Sequence, residues 1–225
     1  MPSMSDALCV YCCSGEPRLT KDHVPPKCLF PKPRPKLITV PCCHSCNDSF
    51  KKDDEYFRLA VCAEAAYFNS EATRLWKERV LWRVGPGLRA TVLSRIQICN
   101  LRTAGGLFVG RMARIPFDSK RICRVVQRIA LGLQWYHYQE RPHPDSEIEV
   151  FIKPDLSQAS ELLTAMILCN IGDTAFRYRH GRPHDARDCS VWGMQFYERA
   201  HFLVTIVGPL SAGRREVTPD PTPTT

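Results

Sequence analysis

Cys9-x2-Cys12 and Cys43-x2-Cys46 each present two thiols across one tight turn, and together they supply four soft ligands for a tetrahedral zinc ion. Asp22-His23 stands between the pairs, and Asn47 follows the last cysteine directly. The aspartate offers a hard oxygen to a second, divalent ion, and the adjacent imidazole offers a base for a water molecule. Cys13, Cys42 and His44 lie beside the same turns, but only the two chosen pairs have the two-residue spacing on both sides. A closed metal brace and an open hydrolytic site thus share the first fifty residues.

These groups need elements that hold them. Leu19–Val24 reads as a short strand that Pro25-Pro26 must end or turn. Lys32-Pro-Arg-Pro-Lys36 is a Pro-rich basic loop, and Leu37–Val40 is a second β-prone run stopped by Pro41. A helix is expected from Asn47 to about Ala66, with Asn47 and Asp48 suited to its N-terminal turn. Alternation along a regular strand sends Asp22 and His23 to opposite faces, so a site using both calls for a bend there.

The rest of the chain reads as mixed α+β. Helices are expected over Glu71–Val84, from Asp118 to about Tyr138, and over Leu156–Cys169. Strands are expected over Gly105–Ile115, Glu147–Ile152 and Thr174–Arg179, with Val191–Tyr197 and His201–Val207 as a hairpin. In the Asp118 helix, Ile122, Val125, Val126, Ile129 and Leu133 fall on one face, while Arg121, Arg124 and Arg128 line another. The units expected are an N-terminal module over 1–66, a basic α+β region over 67–215, and a Pro/Thr-rich disordered tail over 216–225.

Composition is that of a globular chain, 44% hydrophobic and 24% charged. The apolar runs are too short to span a bilayer, and the N-terminus lacks a basic segment followed by an apolar one. A cytoplasmic protein with no membrane association is the expectation. Seven of the twelve cysteines crowd into the first 46 residues, which points to metal rather than to an evenly stapled disulfide scaffold. Cys28 and the five later cysteines read as packing. His137, His143, His180, His184 and His201 are isolated or loop-borne and are assigned no chemistry. The net charge of +8 suits a polyanionic partner, and between Glu71 and Glu140 thirteen Lys/Arg face only four Asp/Glu. Arg121, Arg124 and Arg128 are the candidate phosphate contacts in that stretch.

The segments CVYC, TKDHVPPKCLF and VPCCHSCNDSF together resemble the HNH endonuclease superfamily in its zinc-containing ββα-metal form. The resemblance covers Cys9 to about Phe57. It implies two antiparallel strands and a helix clasping a divalent ion, with the cysteine knuckles holding the strands together. On its positions, His23 is the general base, Asp22 a metal ligand on the same strand, and Asn47 the second protein ligand, as in H-N-N-type members. Mg²⁺ or Mn²⁺ would be the catalytic ion, Zn²⁺ the structural one, and DNA the substrate. The chain departs from the family's pattern at three points. No asparagine precedes the second knuckle, where only Thr39 is polar; Asn47 replaces the last histidine; and the following lysine has only Lys51 and Lys52 nearby. The alternatives are a non-catalytic zinc-ribbon nucleic-acid-binding protein and a subunit of a larger nuclease assembly, with a protein partner.

Overall fold

Thr20–Val24 (β1) pairs antiparallel with Ile38–Cys42 (β2), Asp22 lying opposite Val40 and His23 opposite Thr39. The structure, a computed structural model, describes residues 8–15, 18–80, 85–87, 90, 94, 97–114, 116–155 and 160–209. β2 does not stop at Pro41, as expected, but runs on to Cys42. A proline is tolerated because β1–β2 is a two-stranded ribbon, so β2 has an edge that needs no donor. The Pro41 carbonyl accepts the Val10 N–H at 3.0 Å, which ties the first knuckle to that edge.

The helix after the second knuckle, α1, spans His44–Ala65 and begins three residues before Asn47. Its cap is Cys43, whose Sγ accepts the Cys46 N–H at 3.4 Å. The knuckle therefore turns the chain directly into the helix. Asn47 is no cap; it sits in the first turn, with its N–H on the Cys43 carbonyl. α2 (Ser70–Leu75) is capped by Asn69 and runs into a wider turn over Trp76–Val80, so the helix expected over 71–84 is described only to Val80.

Helix α3 (Ser119–Tyr138) matches the expected bounds, with the Asp118 carboxylate accepting the Lys120 and Arg121 N–H groups. Its apolar face, Ile122, Val125, Val126, Ile129 and Leu133, is buried. Gln97–Arg102 (β3) and Phe108–Arg114 (β4) form a separate antiparallel ribbon.

The remaining strands make a five-stranded antiparallel sheet in the order β5-β9-β8-β7-β6: Glu147–Ile152, Ala200–Val207, Ser190–Phe196, Phe176–Gly181 and Ile167–Ile171. The helix expected over 156–169 is corrected here. A short helix α4 (Ser160–Ala165) is followed by strand β6 (Ile167–Ile171), paired with β7; residues 156–159 lie outside the described set. A short apolar run suits either state, and the ladder offered by β7 decides it. The tail over 216–225 also lies outside the described residues.

Alternation buries Trp192, Met194 and Phe196 of β8 and Phe202, Val204 and Ile206 of β9 against α1 and α3. Phe57 of α1 stands 5.2 Å from Phe196 and 5.7 Å from Phe202 between ring centroids, and the Tyr197 hydroxyl donates to the Leu29 carbonyl at 2.5 Å. The ββα unit and the sheet thus share one core, and the boundary expected at residue 66 does not divide it. Among the described residues no helix is long and apolar enough to cross a membrane.

One glycine sets how closely β1 approaches α3. A Cβ on Gly132 would stand 2.6 Å from Val24 Cγ2 and 3.3 Å from the Tyr11 hydroxyl. Gly132→Ala gains about 1 kcal/mol of helix propensity but overpacks a buried contact at a cost of about 1–3 kcal/mol. The expected outcome is a net loss of stability in denaturant titration and displacement of β1. A variant as stable as the wild type would show that the contact relaxes freely.

Candidate active site and metal centre

The two knuckles bring Cys9, Cys12, Cys43 and Cys46 together, with every Sγ within 4.8 Å of the others and Cys12 Sγ 3.5 Å from Cys43 Sγ. The edge of a tetrahedron of Zn–S bonds is about 3.8 Å, so the cage has the size of a metal site. None of the four forms a disulfide. The neighbours are accounted for otherwise: Cys42 Sγ bonds the Cys43 carbonyl at 3.4 Å, and Cys13 closes its turn at a left-handed φ of 60°. The Ser45 hydroxyl and the Cys46 N–H draw the Cys43 thiol down to about 6, whereas burial and the adjoining Cys43 and Cys12 thiols push Cys46 up. Four thiols this close cannot all ionise unaided, and a cation among them removes the conflict. The N-terminus therefore carries a four-cysteine group able to hold a metal ion such as zinc.

Beyond the cage, Asp22, His23 and Asn47 line one cleft of about 480 Å³. The loop after β1 (Pro26, Lys27, Cys28) forms one wall and α1 (Lys51, Asp54, Glu55, Arg58) the other. The β1–β2 ladder runs unbroken through Asp22 and His23, without the expected bend. Asp22 and Val24 are buried on one face of the strand, and His23 is half-buried on the other.

Asp22 is buried, only 5% exposed, yet well partnered. Tyr11, from inside the first knuckle, donates its hydroxyl to Asp22 Oδ2 at 2.6 Å, and Arg128 Nε lies 3.9 Å from the same oxygen. Burial and the Asp22 charge raise the Tyr11 phenol far above its ordinary value, so it stays protonated and remains a donor. Asn47 Nδ2 donates to Thr20 Oγ1 at 3.0 Å, and Thr20 donates in turn to the Cys42 carbonyl at 2.8 Å. That chain ties the asparagine to the base of β1 and turns its nitrogen away from a cation-binding role, leaving the amide oxygen for it. Burial and Lys27 lower the His23 pKa below its ordinary value, outweighing the opposite pull of Asp22. The imidazole is thus mainly neutral near pH 7, the form a base requires. Thr39, which takes the place of the missing asparagine, faces His23 directly across the ladder.

The arginines of α3 are not the open stripe that the sequence implied. Arg128 is 5% exposed; its guanidinium binds Asp54 at 2.5 Å and lies 4.2 Å over the Phe50 ring. Such a group is spent inside the protein and cannot reach a DNA phosphate, which corrects its assignment as a phosphate contact. Arg121 and Arg124 both grip Asp53, at 2.7 and 2.9 Å, and thereby clamp α3 to α1. Despite Arg128, burial pushes the Asp54 carboxyl up to about 6.

Asp53 behaves in the opposite way. Burial raises its pKa, but the hydrogen bonds from Arg124 and Arg121 outweigh this and hold it below the ordinary value. A depressed carboxyl adds stability above its unfolded pKa, about 3.9, and loses that contribution as pH falls through the lower folded value. Asp53→Asn is therefore expected to cost about 1 kcal/mol near neutrality, since the clamp is partly solvated. Melting temperatures of the two proteins should converge as pH falls through the lowered folded value. A gap that persists unchanged in acid would argue against the ion pairs as its source.

Reasoning from the sequence assigned no role to Tyr11 or Asp54, and it placed Arg128 among phosphate contacts rather than beside Asp22. The position of Tyr11 inside a knuckle was a signal for the first; nothing local marked the other two, which meet Asp22 only through the packing of α3 on α1. Compared with protein-family models, with curated proteins and with solved structures, the chain matches none.

Proposed function

We propose that this chain is a metal-dependent endonuclease of the HNH type, hydrolysing phosphodiester bonds in DNA, with zinc in the four-cysteine cage. The observation that carries the reading is the shared cleft: Asp22, His23 and Asn47 line one space together with Lys21, Lys27, Lys51, Arg58 and Arg79, and with the acids Asp54 and Glu55. Hard oxygen donors suit Mg²⁺ or Mn²⁺, and the surrounding cations suit a phosphate backbone.

Asp22 and Asn47 are the residues that would hold the divalent ion. The Tyr11 and Arg128 contacts to Asp22 fall on Oδ2; Asp22 would offer Oδ1 to the ion, and Asn47 its amide oxygen. When bound, the ion supplies charge for the developing oxyanion and the leaving 3′ oxygen. His23 takes a proton from the attacking water. Arg58 lines the same cleft and adds a guanidinium charge that suits a phosphate.

A second reading, a non-catalytic nucleic-acid-binding protein, draws on the partners of Asp22. Tyr11 and Arg128 already compensate its charge, as they would in a purely structural pair. Incubation with supercoiled plasmid separates the two. The nuclease reading expects nicked circles with Mg²⁺ or Mn²⁺ and none with chelator; binding without nicking in any of these ions favours the second.

A further inference from the structure

Far along the chain from the cysteine cage, three other metal-binding side chains converge. His137 from the last turn of α3, Cys169 from β6 and His180 from β7 bring one donor atom each within 4.8 Å of the others. Cys169 lies opposite Tyr178 in the β6–β7 ladder, and His180 is two residues further along the same face, which α3 covers. The His137 and His180 rings are 4.0 Å apart between centroids.

The decisive detail is an unsatisfied nitrogen. His180 is 3% exposed, and its Nδ1 is hydrogen-bonded to the Tyr138 hydroxyl at 2.9 Å, but its Nε2 is buried without any partner. A buried polar atom left bare costs about 1–3 kcal/mol, and native structures keep few of them. In the tautomer that donates the Nδ1 proton to Tyr138, Nε2 carries the lone pair a metal needs, and Tyr138 would fix the ring as outer partners of metal-bound histidines do. The Tyr178 hydroxyl, 2.9 Å from His137 Nε2, steadies the second ring.

We propose that His137, Cys169 and His180 form a second metal site, for a divalent transition ion of the zinc type. Donors at the corners of a 4.8 Å triangle lie within about 2.8 Å of a common point, against about 2.0–2.3 Å for Zn–N and Zn–S bonds. A contraction of about 0.5–0.8 Å therefore closes the site, within the reach of side-chain rotation. Two imidazoles and a thiolate are a borderline-soft set that selects zinc-like ions over Mg²⁺. The ion would pin the C-terminal turn of α3 to the edge strand of the sheet.

The test is zinc content, measured by emission spectroscopy on protein equilibrated with zinc and then freed of loosely bound ion. The difference between wild type and variants reports this site whatever the four-cysteine cage holds. Wild type is expected to carry one equivalent more than Cys169→Ala and one more than His137→Ala, the latter at a half-buried helix end where truncation leaves the fold intact. Cobalt substitution gives a second reading: both variants should lose the same set of visible absorption bands. Equal metal content in wild type and both variants, with unchanged cobalt spectra, overturns the site and leaves an ordinary stack of histidines.

Discussion

His23→Ala is expected to remove metal-dependent nicking of supercoiled plasmid, lowering the rate by about 10²–10⁴-fold, the usual contribution of a positioned general base. The side chain is only half-buried and is not among the large groups of the core, so the variant should melt with the wild type. DNA affinity should also hold, because the lysines and arginines of the cleft are untouched. That combination of lost cleavage with kept fold and kept binding is what a base predicts. Equal nicking by wild type and variant would remove His23 from the chemistry. Thr39→Val supplies a finer test. If the residue across the ladder helps to orient the imidazole, the rate should fall by a smaller factor than for His23→Ala.

Loss of the four-cysteine metal should be the largest effect on stability. Cys9→Ser places a poorer ligand in a fully buried corner of the cage, and the expected cost is about 5 kcal/mol. Isolated zinc-finger peptides lose their whole fold, but here α1 also packs on α3 and on the sheet, so a partly folded remainder is expected. Consequences should spread from the cage to the cleft. Cys43 caps α1, Val10 anchors β2, and Tyr11 holds Asp22, all from within the knuckles. Hydrogen exchange should therefore rise in β1, β2 and the first turns of α1 before it rises in β8 or β9. Freshly purified protein with well under one zinc per chain would contradict the brace altogether.

The two effects divide along a physical line already present in the chain. Ligands that repeat at short spacing, Cys9/Cys12 and Cys43/Cys46, were legible because a tight turn is a local structure and needs no tertiary context. The same holds for the Asp118 cap and the apolar face of α3, and for the alternating strands β5, β8 and β9. Where two local states were close in energy, context chose. Residues 167–171 became a strand because β7 offered a ladder, and β2 kept Pro41 because an edge asks nothing of that nitrogen.

The sequence by itself determined the cysteine cage, the α+β class and the candidate trio Asp22, His23 and Asn47. Only the tertiary structure decided what surrounds them. It turned Arg128 from a surface cation into the buried partner of Asp54 and Asp22, and it recruited Tyr11 as the donor that steadies Asp22. It also gathered His137, Cys169 and His180, three residues on three elements that no spacing rule connects. The reason is that a helix face or a knuckle is specified by neighbours a few residues away. A buried charge or a shared ion is specified by whichever elements the core presses together.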